Sequence, residues 1–157
     1  MEDLADLFRA SLGEARQRIT LTEELEIARV YERMEQQRLG ERLRVEWDIA
    51  ALPGDAILPS LTLQPLLENA VYHGIEPLPD PGVVQVRGRR DGDRLEVLVV
   101  NPVPADDRGE RSGNRIALAN IGERLQLAFG AAAGLQIESS PTEFRVTLMF
   151  PYRTDGR

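Results

Sequence analysis

No cysteine occurs in the 157 residues, which removes disulfides, zinc thiolate centres and cysteine nucleophiles from consideration. There is one histidine, so a site that needs two imidazoles cannot be assembled within one copy of the chain. Basic residues are the minority, 19 against 26 acids for a formal charge of −7. That balance argues against a broad surface for nucleic acid or anionic lipid and confines any phosphate site to a local feature. No apolar run approaches the about 20 residues of a membrane span. The opening "MEDLADLFRA" lacks the basic and apolar regions of a secretory signal. A soluble chain with no direct membrane contact and no nucleic-acid partner is expected. What is present is a 42% hydrophobic composition, enough for one respectable core.

The apolar spacing of "LTEELEIARVYERMEQQRL" over 21–39 predicts a long amphipathic helix, with Gly40 as its stop. Thr22, followed three residues later by Leu25, makes an imperfect capping box, with Glu23 and Glu24 favouring the first turn. "LADLFRASLGEARQRIT" before it reads as a helical piece broken near Gly13. "RLRVEWDI" alternates as a strand with one wet side, Leu43, Val45, Trp47 and Ile49 inward, and "ALPGDAILPS" reads as a loop. A second helix is predicted from the N-cap Ser60 to Gly74, with Pro65 kinking it or delaying its regular start. Two strands flank the "DGD" turn between Val83 and Asn101. A Pro- and Gly-rich loop then leads to a helix over "RIALANIGERLQLAFG", with Ile116, Ile121, Leu125 and Ala128 apolar, and to two final strands. The order favours an α+β sandwich: one mixed, largely antiparallel sheet covered by helices on one face.

The stretch "LLENAVYHG" holds the one histidine. On a helix, Asn69 and His73 lie about 40° apart, just beyond the edge of the apolar arc. Two readings stay open on these residues alone. Asn69 could cap a neighbouring loop beside a satisfied boundary histidine; or the pair could reach a polyphosphate, Asn69 through Mg²⁺ and His73 through phosphate oxygens. Asn101, on the inward parity at the end of its strand, either anchors a loop or lines a pocket, because an unpaired buried amide costs roughly 1–3 kcal/mol. "SGNRIALANI" puts a glycine-bearing turn before a helix, where free N–H groups can meet phosphate.

In combination, "LTLQPLLENAVYHGIEP", a strand ending "VLVVNPVP", and "SGNRIALANIGERLQLAFG" resemble the N box, adenine box and glycine box of the GHKL (Bergerat) ATP-binding fold. More narrowly, residues 3–151 resemble the catalytic region of LytS-type sensor histidine kinases, the AlgZ-like branch in particular. The resemblance implies a Bergerat-type two-layer sandwich preceded by the long helix. Residues 1–40 would be a remnant of the dimerisation and phosphoacceptor region, and 41–157 the ATP-binding domain. It implies ATP and Mg²⁺ as cofactors, with Asn69 holding the metal and His73 contacting phosphate. Asn101 would read adenine where the family usually has Asp, and Tyr72 would replace a frequent lysine. Gly113, Arg115, Leu118 and Asn120 would complete the nucleotide site, with Arg124 a further neighbour. The three groups Asn69, His73 and Asn101 are expected to open onto one cleft.

Two departures bear on activity. Pro65 stands where GHKL hydrolases often place a general-base glutamate, which fits transfer to a side chain rather than to water. No histidine lies upstream of the long helix, so the acceptor must be outside this chain and autophosphorylation by the chain alone is not expected. The implied parent is a dimeric kinase anchored in the inner membrane, its catalytic part cytoplasmic, with a response regulator as partner. A degenerate nucleotide-binding module that docks partners is the second reading, favoured by Asn101, Val103, Ala105 and Arg115.

Overall fold

The computed structural model describes residues 18–103 and 111–154, with the backbone alone for residues 111–115. Helix α1 (Leu21–Leu39) has the predicted bounds. Its cap lies two residues earlier than expected: the Thr20 hydroxyl accepts from the Glu23 N–H at 3.2 Å, and the Glu23 carboxylate accepts from the Thr20 N–H at 3.2 Å. Thr22 is inside the helix because Thr20 already supplies the reciprocal pair. Replacing Thr20 with Ala should cost about 1 kcal/mol and lower the melting temperature by roughly 2–4 °C in a thermal scan.

Strand β1 (Arg18–Thr20) replaces the end of the expected first helical piece, the rest of which lies outside the described residues. It pairs antiparallel with β3 (Ile57–Pro59), a strand inside the stretch read as a loop. The main sheet has five strands: β2 (Leu43–Asp48), β4 (Gly82–Asp91), β5 (Arg94–Pro102), β6 (Gly134–Ser139) and β7 (Glu143–Pro151). Their order is β2-β4-β5-β7-β6, with β2 parallel to β4 and every other pair antiparallel. The β4–β5 hairpin turns at Gly92, whose φ of 62° suits glycine.

One face of the sheet is apolar. Val84 and Val86, Leu95, Val97 and Val99, and Val146, Leu148 and Phe150 are buried there at every second position. Helices α2 (Leu63–Ala70) and α3 (Arg111–Phe129) complete the core with Leu63, Leu66, Leu67 and Ala70, and with Leu118, Ile121, Leu125 and Phe129. Helix α1 joins the same core through Leu21, Ala28 and Tyr31. It is also tied to β2, where the Trp47 indole N–H donates to Glu32 at 3.0 Å and Arg29 lies over the ring at 4.7 Å. The opposite sheet face carries Arg87, Arg89 and Arg145, all exposed.

Two expectations for the later helices need correction. Helix α3 begins at Arg111, earlier than read, and its inward stripe runs through Leu118 rather than Ile116, which is 66% exposed. Ile116 lies about 200° around the helix from Leu118, so the two cannot share the core face. Nor does Ser60 cap α2, which starts at Leu63 with Pro65 in its first turn, where proline is tolerated. Thr62 gives no side-chain cap either; the Glu24 carboxylate of α1 takes that place.

Candidate functional site

Leu63, Leu66, Leu67 and Ala70 turn one side of α2 into the core, which leaves Pro65, Glu68 and Asn69 on the other. The helix runs on into a π-helical turn over Val71–Ile75, closed by the Glu76 N–H donating to the Val71 carbonyl at 3.0 Å. Such wide single turns occur often at functional sites. Here it places Tyr72 and His73 beside Asn69, their rings edge to face at 4.9 Å between centroids, and sets Gly74 against the end of β5.

Asn69, Tyr72 and His73 line one cleft of about 440 Å³, a size suited to a small-molecule ligand. Asn69 and His73 are half-buried and Tyr72 is 61% exposed. The opposite wall comes from α1, with Tyr31, Glu35 and Arg38, and Ala117 of α3 closes one side. The α1 wall was not foreseen from the sequence. The signal for it is the spacing of Tyr31, Glu35 and Arg38, one stripe of a helix at steps of four and three.

Arg38 forms ion pairs with both Glu35 and Glu76, and these keep the guanidinium protonated beyond its already basic range. The Tyr31 hydroxyl is pushed up first by burial and then by the charges of Glu35 and Glu68, so it stays protonated and remains a donor at neutral pH. Glu68 accepts from the Gln64 amide at 2.9 Å. The cleft thus carries three carboxylates, Glu35, Glu68 and Glu76, against the cation of Arg38 and the imidazole of His73.

Asn101 does not open onto this cleft. It is 2% exposed, its side-chain N–H donates to the Pro102 carbonyl at 2.7 Å, and it borders a separate groove of about 330 Å³ with Gly82, Gln85 and Thr142. The physical reason is Gly74: lacking a side chain, it lets the end of β5 pack against the back of the π turn, so Asn101 meets that turn from behind. Leu118 is fully buried in the core and Asn120 is exposed, neither of them on the cleft. Arg124 donates to the Leu61 carbonyl at 2.7 Å and to that of Ser60, which makes it a tie between α3 and the start of α2. Gly113 falls in the first turn of α3 and Arg115 just after it, with the Arg115 side chain and Ala105 outside the described residues. Val103 packs half-buried against the core.

The histidine kinase family model matches residues 1–43. Sensor histidine kinase YesM of Bacillus subtilis is 33% identical over 99% of this chain and 28% of its own length. Sensor protein LytS of Staphylococcus epidermidis is 29% identical over 96% of this chain and 28% of its own. The chain therefore spans roughly a quarter of these relatives. Among solved structures, the catalytic domain of histidine kinase ThkA has a TM-score of 0.62 at 12% identity, covering 87% of this chain and 95% of that domain. ThkA in complex with response regulator protein TrrA has a TM-score of 0.58 at 12% identity, covering 99% of this chain and 49% of that one. At that identity the likeness shows the fold.

Proposed function

This chain belongs to the LytS-related sensor histidine kinases, and on that premise we propose that it is their ATP-binding catalytic region. It would transfer the γ-phosphoryl group of ATP to a histidine outside this chain. The observation that carries the reading is the convergence of Asn69, Tyr72 and His73 on one cleft, on a helix backed by a sheet with the fold of histidine kinase catalytic domains.

The donor set fits Mg²⁺. An amide oxygen among carboxylates is hard oxygen chemistry, and Mg²⁺ takes one or two protein ligands while sharing the rest with waters and phosphates. Asn69 would hold the ion, and the ion when bound neutralises phosphate charge. The chain's own part is positioning. His73 and Arg38 offer hydrogen-bond donors to phosphate oxygens, and Tyr72 flanks His73 where the family often has lysine. Gly113 and Arg115 would meet the phosphates at the start of α3. Asn101, its N–H group committed to Pro102, keeps an amide oxygen able to accept from adenine only in the separate groove it borders, and Leu118 and Asn120 stand off the cleft. Phosphoryl transfer depends mainly on such placement and charge neutralisation. Pro65 on the cleft cannot take a proton from water, which favours a side-chain acceptor.

Residues 1–40 would be the remainder of the phosphoacceptor and dimerisation region and 41–157 the ATP-binding domain. The whole protein would be a membrane-anchored homodimer with this part in the cytoplasm, delivering phosphate to a response regulator, as the ThkA–TrrA pairing supports. Incubation with radiolabelled ATP should leave no acid-labile phosphohistidine on this chain, because its one histidine is His73; label there would contradict the acceptor assignment. Because the cleft lining is net acidic, chelating Mg²⁺ with EDTA should weaken ATP binding by about tenfold or more in calorimetry. One observation favours the second reading, a module that senses nucleotide without transferring phosphate: Asn101 sits off the cleft. Binding of Mg-ADP weaker than millimolar would select that module.

A further inference from the structure

The site helix is gripped at both ends by charged side chains from one upstream stretch. At its start, the Glu24 carboxylate of α1 accepts from the N–H groups of Leu61 at 3.1 Å, Thr62 at 2.6 Å and Leu63 at 2.5 Å. At its end, one terminal nitrogen of Arg42 donates to the carbonyls of Ile75 at 3.3 Å, Glu76 at 3.1 Å and Leu78 at 2.7 Å. An anion at the N-terminus and a cation at the C-terminus each match the helix dipole. Asn69, Tyr72 and His73 lie between the two grips.

A local cap would have served stability alone. Thr62 is at the N-cap position and has the right side chain, yet its hydroxyl donates to the Pro59 carbonyl at 2.7 Å and the capping falls to a carboxylate on another helix. That carboxylate is fully buried. Burial pushes the Glu24 carboxyl up, against the opposing pull of the backbone N–H groups it accepts from. The gripped segment is itself strained: Leu61 has a φ of 59°, the one positive value among the described non-glycine residues. Arg124 holds the carbonyls of the same segment from α3. Both grips lie within residues 1–43, the part matched by the histidine kinase family model.

We propose that Glu24 and Arg42 are positioning residues, a two-ended clamp through which the stretch 21–43 sets the placement of Asn69, Tyr72 and His73 in the cleft. A shift of α1 along its axis is then passed to the site helix as a rigid displacement. The effect on nucleotide rests on the ATP reading above; the effect on the helix does not.

The test compares Glu24→Gln, Arg42→Met and Arg42→Lys with Glu32→Gln, which loosens α1 from Trp47 on β2 and leaves both grips intact. Mg-ADP affinity is measured by calorimetry well below each melting temperature, and amide exchange is read over residues 63–75 and over β5. Glu24→Gln and Arg42→Met should each weaken Mg-ADP by about tenfold and speed exchange at 63–75 with β5 unchanged. Arg42→Lys should recover part of both. Glu32→Gln should lower the melting temperature and do neither. Should Glu24→Gln not fold, Glu24→Asp, one methylene short, takes its place. Unchanged exchange at 63–75 in the clamp variants, or an equal loss in Glu32→Gln, overturns the proposal. If the unsubstituted chain binds no Mg-ADP, the ATP reading falls and the exchange data alone decide the clamp.

Discussion

Alanine at position 69 is expected to weaken Mg-ATP binding by about a hundredfold while leaving the fold in place. The helix that carries Asn69 is held by Leu63, Leu66, Leu67 and Ala70 on its other side, all at most 2% exposed, and Asn69 contributes nothing to that face. Alanine is also the better helix former, so the melting temperature should stay level or rise slightly. Aspartate at the same position keeps an oxygen donor for the metal and adds a fourth carboxylate to a lining that already has Glu35, Glu68 and Glu76. It should bind metal but repel triphosphate, with an affinity between those of the alanine variant and the parent. Calorimetric titration with Mg-ATP separates the three. An Asn69→Ala chain that titrates like the parent would detach this cleft from nucleotide.

The order of elements and most of the core could be read from periodicity, because the residues that bury a face recur at the spacing the backbone imposes. Helix α1 shows every third or fourth position apolar and a glycine stop, and its bounds came out as read. The alternation in β5 and β7 placed Leu95, Val97, Val99, Val146, Leu148 and Phe150 inward. What could not be read is long-range. Strands β1 and β3 have three residues each, too few for a period, and exist because they pair with one another. Local spacing points to Ser60, a suitable side chain close by, as the cap of α2, whereas the donors are met by Glu24, nearly forty positions upstream. In α3, Ile121 and Leu125 turn inward as the pattern gives, whereas Ile116 faces out and Leu118 takes the inward position, which packing alone selects.

The site divides in the same way. Asn69, Tyr72 and His73 share a cleft because they share one short helical stretch, and adjacency in sequence guarantees adjacency in space. Asn101 comes from another element, so its relation to them is set by how closely the strand approaches the turn. The wall supplied by Tyr31, Glu35 and Arg38 is likewise a packing result, and it places α1 in the site as well as in the core.

Gly74→Ala is the variant in which that approach is tested. A Cβ there would stand 2.4 Å from the Asn101 side-chain nitrogen, 2.7 Å from the Asn101 Cβ and 2.8 Å from the Pro102 carbonyl oxygen. The first neighbour can rotate away, but the other two are fixed to the backbone of β5, a strand paired on both edges. The turn must then back off from the sheet or the end of β5 must leave its partner β7. Overpacking of this kind costs about 1–3 kcal/mol, a fall of several degrees in the melting temperature of a chain this size. Backing off also moves His73, one residue before the clash, so Mg-ATP affinity should fall further than the stability loss alone accounts for. Adding Asn101→Ala to Gly74→Ala removes one of the three collisions and leaves the other two, so it should restore part of the melting temperature. An unchanged melting temperature and nucleotide titration in Gly74→Ala would mean that the strand end and the turn are not in contact, and the separation of Asn101 from the cleft would lose its physical cause.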